Sequence, residues 1–181
     1  MKINEIIGKK VIDKNVMEMG KVAEISFDKK TFKIAGLYAS TGNAISKKYI
    51  QLQPSKILAI GDFVQVSELQ KDLLEHTVDK IPAYDSIAKA NEIIGKKVLD
   101  INANDTGKVS VLSIDIDNQI ITELSVSKSV SSFGKNVAVT ISLDDINAFG
   151  DYLLLNKELN FETNEEPKEE KEDEKVEVKV E

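Results

Sequence analysis

Apolar and polar residues alternate with a period of two along much of the chain. From Val22 onward, Ala23, Ile25 and Phe27 alternate with Glu24, Ser26 and Asp28. Successive side chains of a strand point to opposite faces, so this run predicts a strand with one buried and one wet face. Asp28-Lys29-Lys30 is a polar turn, and Thr31 to Ala39 is the returning strand of a hairpin. Tyr49 to Leu52 predicts a further strand. Pro54 to Ile57 predicts a single helical turn, and Phe63 to Val66 a last strand. Gly61, between the last two elements, is expected to make a tight bend with positive φ.

The same order of elements then returns. Asn4-Glu5-Ile6-Ile7-Gly8-Lys9-Lys10-Val11-Ile12-Asp13 recurs as Asn91-Glu92-Ile93-Ile94-Gly95-Lys96-Lys97-Val98-Leu99-Asp100, with nine of ten residues identical and a spacing of 87. Gly20-Lys21-Val22 recurs as Gly107-Lys108-Val109 at that spacing. Ile57 to Asp62 is matched by Ile146 to Asp151 at a spacing of 89, which places two extra residues in the Ser-rich stretch Ser127 to Gly134, expected to be a loop. Within the second copy, Ser113 to Gln119 takes the hairpin position. Val137 to Ile141 predicts a strand, Leu143 to Ile146 a helical turn and Tyr152 to Leu155 the last strand. Two copies of this length are small domains rather than a solenoid of short repeats. The expected organisation is all-β: one small barrel over residues 1–68, a joining stretch 69–89, a second barrel over 90–156, and a disordered acidic tail 157–181. Leu69, Leu73, Leu74 and Val78 give the joining stretch a weak helical pattern that could fill a gap between the domains.

Size adds a constraint. Domains below roughly 70–80 residues are marginal on their cores alone. The 181-residue chain has no Cys to staple them. An interface between the copies, or a homodimer, is therefore expected. Barrel closure is expected as well, because it removes exposed strand edges.

Composition narrows the chemistry. The chain has no Cys, no Trp and one His, and all 24 of its basic residues are Lys. Thiolate metal sites and cysteine nucleophiles are impossible, and a Ser-His-Asp triad would depend on His76 alone. The net charge of −7 is concentrated. Residues 162–181 hold ten acids and four Lys (net −6), which leaves 21 acids and 20 Lys elsewhere (net −1). A nearly neutral, Arg-free body is a poor match for nucleic acid. The tail has too little apolar surface to offset the entropy of ordering. Its last six residues, Val176 to Glu181, alternate like a strand that could add to a sheet edge. No signal peptide is visible at the start, and the apolar runs fall far short of the roughly 20 residues that span a bilayer. A cytoplasmic protein is expected.

The candidate sites are few. Asp115 and Asp117, with Asn118, offer oxygen ligands for Ca²⁺ but lack the twelve-residue loop pattern, so turn acids are expected. Asp144 and Asp145 begin a helical turn, where acids favour the N-terminus. Lys9-Lys10 and Lys96-Lys97 follow a Gly, yet no Gly-x-x-x-x-Gly-Lys-Ser/Thr phosphate loop is present. His76 has no counterpart in the second copy and reads as a surface residue. Asp62 and Asp151, beside Gly61 and Gly150, are expected to bond turn N–H groups. No catalytic, cofactor-binding or metal residue is assigned, and no cofactor is expected.

The segments Gly8-Lys9-Lys10-Val11, Gly20-Lys21-Val22 and Ile57 to Val64, with their partners Gly95 to Val98, Gly107 to Val109 and Ile146 to Leu153, resemble the PRC-barrel domain. The Lys-rich, Arg-free tandem form is similar to small proteins of methanogenic archaea. The resemblance implies small barrels that act by protein contact. Such domains occur in reaction-centre H subunits, in a ribosome-maturation factor and in archaeal cell-division proteins. It brings no catalytic residues. The expected function is a non-enzymatic adaptor that binds a protein partner, in cell division or another cytoplasmic assembly. The alternatives are a ribosome- or RNA-associated factor and an enzyme using carboxylates alone.

Overall fold

The computed structural model describes residues 1–43, 45–129 and 136–161. The first repeat contains β1 (Lys10–Ile12), β2 (Glu18–Asp28), β3 (Ile34–Thr41), β4 (Lys48–Leu52), β5 (Ile57–Ile60) and β6 (Phe63–Val66). Helix α1 (Gln70–Leu74) follows. Strand β7 (Ile87–Lys89) and the single turn α2 (Ala90–Ile93) lead into the second repeat. That repeat comprises β8 (Lys97–Leu99), β9 (Asp105–Asp115), β10 (Ile120–Ser129), β11 (Asn136–Ile141), β12 (Ile146–Phe149) and β13 (Leu153–Leu155). Among the described residues no helix is long and apolar enough to cross a membrane.

The two sheets have the same order, β4-β3-β2-β1-β6-β5 and β11-β10-β9-β8-β13-β12. All pairs are antiparallel except β1 with β6 and β8 with β13. The ladder of each barrel is broken at one seam. Among the described residues β4 does not pair with β5; the chain joins them through a 3₁₀ turn, Pro54–Lys56, as Leu143–Asp145 does in the second repeat. Full closure was the expectation. A 3₁₀ turn at the seam interrupts the ladder there instead, in both repeats. The expected helical turns are thus one residue shorter, and Ile57 and Ile146 begin strands.

The glycine expectation also changes. Gly61 and Gly150 do not adopt positive φ, and a Cβ at either would meet only open space or an ordinary contact. The demanding positions are Gly20 and Gly107, at φ +133 and +131. There a Cβ would collide with the Ser40 or Ser127 carbonyl on the neighbouring strand. Gly in Gly-Lys-Val therefore lets two strand backbones approach closely.

The repeats are joined by reciprocal exchange of their starts. Strand β7 pairs antiparallel with β2, Lys89 opposite Ser26 and Ala88 opposite Phe27. The equivalent residues make the mirror contact: Lys2 bridges Ser113, and Met1 and Ile114 exchange N–H···O bonds of 3.0 and 2.7 Å. On the pseudo-twofold axis, Lys33 bridges its own equivalent, Ile120. The flanking bonds, Ile34 N–H to the Gln119 carbonyl and Ile121 N–H to the Phe32 carbonyl, are both 2.8 Å. This is the geometry of an isologous dimer within one chain.

The exchange explains a failed expectation. Glu24 and Ser26 were to face water, yet they are 6% and 2% exposed: β7 of the other repeat pairs along the β2 edge at Ser26, and α2 packs against Glu24 through Asn91. Buried apolar side chains of both repeats form one continuous cluster. Helix α1 packs on β2 and β4 of the first repeat rather than between the barrels, with Leu73 buried in the cluster. Just beyond α1, Val78 exchanges two backbone hydrogen bonds with Tyr49 on the β4 edge.

Two boundaries differ from the pattern reading. Strand β10 extends through Ser129 into the expected Ser-rich loop, of which residues 130–135 lie outside the described set. The tail expected to be disordered from residue 157 is ordered at its start. The Lys157 carbonyl accepts from Ile101 N–H, and Leu159 and Phe161 pack against the core. Those two apolar residues separate 157–161 from the acidic run. Residues 162–181, including Val176 to Glu181, lie outside the described residues.

Candidate functional site

The exchange creates two equivalent junctions where a short strand of one barrel faces the long hairpin of the other. At the first junction β12 faces the β2–β3 hairpin, and the space is filled by rings. Phe149 packs edge-on against Phe27 (6.3 Å between centroids) and tilted against Phe32 (6.1 Å), and Phe27 stacks with Phe32 (6.3 Å). At the second junction β5 faces the β9–β10 hairpin. The three equivalent positions there are Ile60, Ile114 and Gln119.

With no rings to fill it, the second junction is a cleft of about 510 Å³. Ile57, Ile60, Ile114 and Ile116 line it, with Leu58, Asp115, Asp117 and Thr122 among its other walls. Ile114 is buried, whereas Leu58 is 58% exposed. Its volume lies within the roughly 300–1,000 Å³ typical of ligand clefts, and polar and apolar groups share its walls.

The charged groups at the cleft are the carboxylates of Asp115 and Asp117 and the Met1 ammonium, which donates to the Ile114 carbonyl at 3.0 Å. The Asp115 carboxylate accepts from the Asn118 backbone N–H (3.0 Å) and side-chain amide (2.7 Å). Those bonds, the backbone one first, hold its pKa below the ordinary 3.8, so it is ionised at neutral pH. Asp117 is exposed beside it. The equivalent residues at the plugged junction are Asp28 and Lys30, so one rim position reverses charge between the two junctions. Ile116 likewise stands where the first repeat has Lys29, which there reaches the Asp85 carbonyl at 2.8 Å.

The structure disperses the other candidates. His76 is exposed just after α1. Lys10 and Lys97 make equivalent exposed ion pairs with Glu18 and Asp105, at 2.8 and 3.1 Å, and Lys96 reaches the Gly150 carbonyl. Lys9 stands half-buried at the start of β1. Asp145 pairs with Lys157, and the Asp144 carbonyl accepts from Asn156. Asp62 and Asp151 are exposed and, among the described residues, make no bond to the turn. No group of three or more His, Asp or Glu converges among the described residues.

Sequence reasoning passed over the acids that organise the fold. Asp13 accepts from the N–H groups of Asn15, Met17 and Gln70, tying the β1 turn to the start of α1. Asp100 makes the same turn bonds, to Asn102 and Asn104, but takes the Asn104 side chain as its third donor. Glu24 accepts from Ile25 N–H and from Asn91 N–H in the first turn of α2. Burial raises its pKa above 4.5, against those hydrogen bonds, which lower it. The signal for the cleft itself was present in the aligned repeats, as three aromatic positions replaced by Ile, Ile and Gln.

Two small barrels of identical topology, with one junction sealed and the other open, define a tandem β-barrel module. A family model for the PRC-barrel domain matches residues 1–73 and again 86–158, and the chain belongs to that family. The second match begins at 86, so the exchanged strand β7 counts with the barrel it leads into. No curated protein matches the chain.

Proposed function

We propose that this tandem PRC-barrel protein acts by binding another protein, as an adaptor without catalysis of its own. The observation that carries this reading is the open cleft between β5 and the β9–β10 hairpin. Four isoleucines line it, and its two acids stand at a turn, one of them already held by Asn118. Such walls suit an inserted side chain, not proton transfer or nucleophilic attack, which need a positioned base beside the reacting atom. The family resemblance supports protein contact, with cell division or another cytoplasmic assembly as the setting.

The test compares two baits at native salt. Ala59 is an exposed cleft residue, so Ala59→Trp lays a ring over the opening without touching the core. A stoichiometric partner retained by the natural chain and lost from Ala59→Trp is the expected result. Equal retention of every partner by both baits, or no stoichiometric partner at all, overturns the reading.

A further inference from the structure

We propose that the cleft takes an aromatic side chain of a different protein, presented beside a lysine or arginine. The inference rests on the binding role above and names the chemistry of the partner.

The molecule contains its own template. At the sealed junction a ring from β12 lies edge-on against a ring from the facing hairpin, and the backbone frame there is repeated at the open junction. The axis bonds that set the frame are equal in length on the two sides. What differs is side-chain volume, Ile60 for Phe149, Ile114 for Phe27 and Gln119 for Phe32, together with residues 85–87, which bond Asp28 and Lys29 at the sealed side. Apolar walls left facing water are unfavourable, and a ring supplied from outside restores the contact that the sealed side makes internally. Rings also bury a large area for few rotors, which is why they anchor interfaces.

Charge decides what stands next to the ring. The sealed rim carries Asp28, Lys29 and Lys30, and the open rim carries Asp115, Ile116 and Asp117. The Met1 ammonium also lines the cleft, bonded to the Ile114 carbonyl; the two carboxylates outnumber it, so the rim favours a cationic neighbour and repels an anionic one. The same rule argues against a second copy of this chain as the occupant. Among the described residues its prominently exposed aromatics are Phe63, Tyr84 and Tyr152, and each is adjacent in sequence to an aspartate: Asp62, Asp85 and Asp151. Through these three, a second copy would bring like charge to the rim.

The experiment is an NMR titration of the full ¹⁵N-labelled chain with acetyl-Lys-Phe-Lys-amide. Acetyl-Lys-Ser-Lys-amide and acetyl-Glu-Phe-Glu-amide serve as comparison probes. The expected result is saturable shifts at residues 57–60 and 114–117 for the first peptide, at least about tenfold weaker binding for the other two, and loss of the shifts in Ile60→Phe, which copies Phe149. Asp117→Lys, at an exposed position that keeps the core intact, weakens binding and its salt dependence together. Equal response to all three peptides overturns the inference, as do shifts outside the cleft or unaltered binding by both variants. If Ala59→Trp removes a partner while the tripeptides leave the cleft unshifted, the binding role stands and the aromatic–basic preference falls.

Discussion

The two junctions between the barrels share a backbone and differ in side chains. Both are held by exchanged chain segments, the three-residue β7 on β2 and the shorter Met1 and Lys2 on β9, and by the pair of bonds about Lys33 and Ile120. One is sealed by Phe27, Phe32 and Phe149, and the other is left open by Ile114, Gln119 and Ile60. The ladder fixes the frame through backbone groups that any residue supplies, so side chains at the junction can diverge without disturbing the assembly. Openness thus follows from those three side chains and from residues 85–87, which cover Asp28 and Lys29 at the sealed junction.

The largest test of this contrast is Phe27→Ala. Phe27 is fully buried at the centre of the aromatic cluster, and its truncation is expected to cost about 3–5 kcal/mol in urea unfolding. Ile114→Ala, at the equivalent position, is expected to cost less; equal costs would show that the rings add nothing beyond ordinary burial. Phe149→Ile is milder, about 1–2 kcal/mol, because Phe149 is half-buried and loses mainly its ring contacts. Its structure should show a second cleft; an unopened junction there would mean that β12 shifts to compensate.

Smaller effects come from the carboxylates. Asp13→Asn is expected to lower the unfolding midpoint more than Asp100→Asn, because only Asp13 reaches Gln70 at the start of α1. The reverse order would mean that the turn bonds alone matter. Both natural carboxyls lie below 3.8, held there first by the backbone N–H of Gln70 for Asp13 and of Asn104 for Asp100. Their contribution is therefore present above 3.8 and is lost as pH falls through the folded value. Glu24 has the opposite sign and the smallest effect. Its raised pKa favours the folded state below 4.5, and that advantage fades as pH rises through the folded value. Glu24→Gln keeps an acceptor for Asn91 and should flatten the stability profile across that window; an unchanged profile would place the slope elsewhere.

Much of this was legible in the residues. The duplication could be read from Asn4–Asp13 and its copy, and the hairpins from the alternation around Ile25 and Ile114. Alternation, however, reports that a strand has two faces, not which partner lies on each. Glu24 and Ser26 look like a wet face until residues 87–93 of the other repeat are seen to cover them. The pairing of Lys2 with Ser113 spans most of the chain and leaves no local mark. Recurring Gly61 and Gly150 invited a backbone explanation that their angles do not support, whereas Gly20 and Gly107 carry one in the carbonyl each approaches. The cleft required both kinds of information: aligned repeats to find the missing rings, and the exchange to learn that those positions face each other.

The exchanged strands also govern how this protein is made. As the chain leaves the ribosome, the first barrel emerges before residues 87–93 exist, so the β2 face bearing Glu24 and Ser26 has nothing to cover it. Met1 and Lys2 wait longer still, for Ser113 and Ile114. An early fragment exposes an unpaired strand row, the kind of surface that seeks other nascent chains. Folding to completion is therefore deferred until translation has passed the second long hairpin.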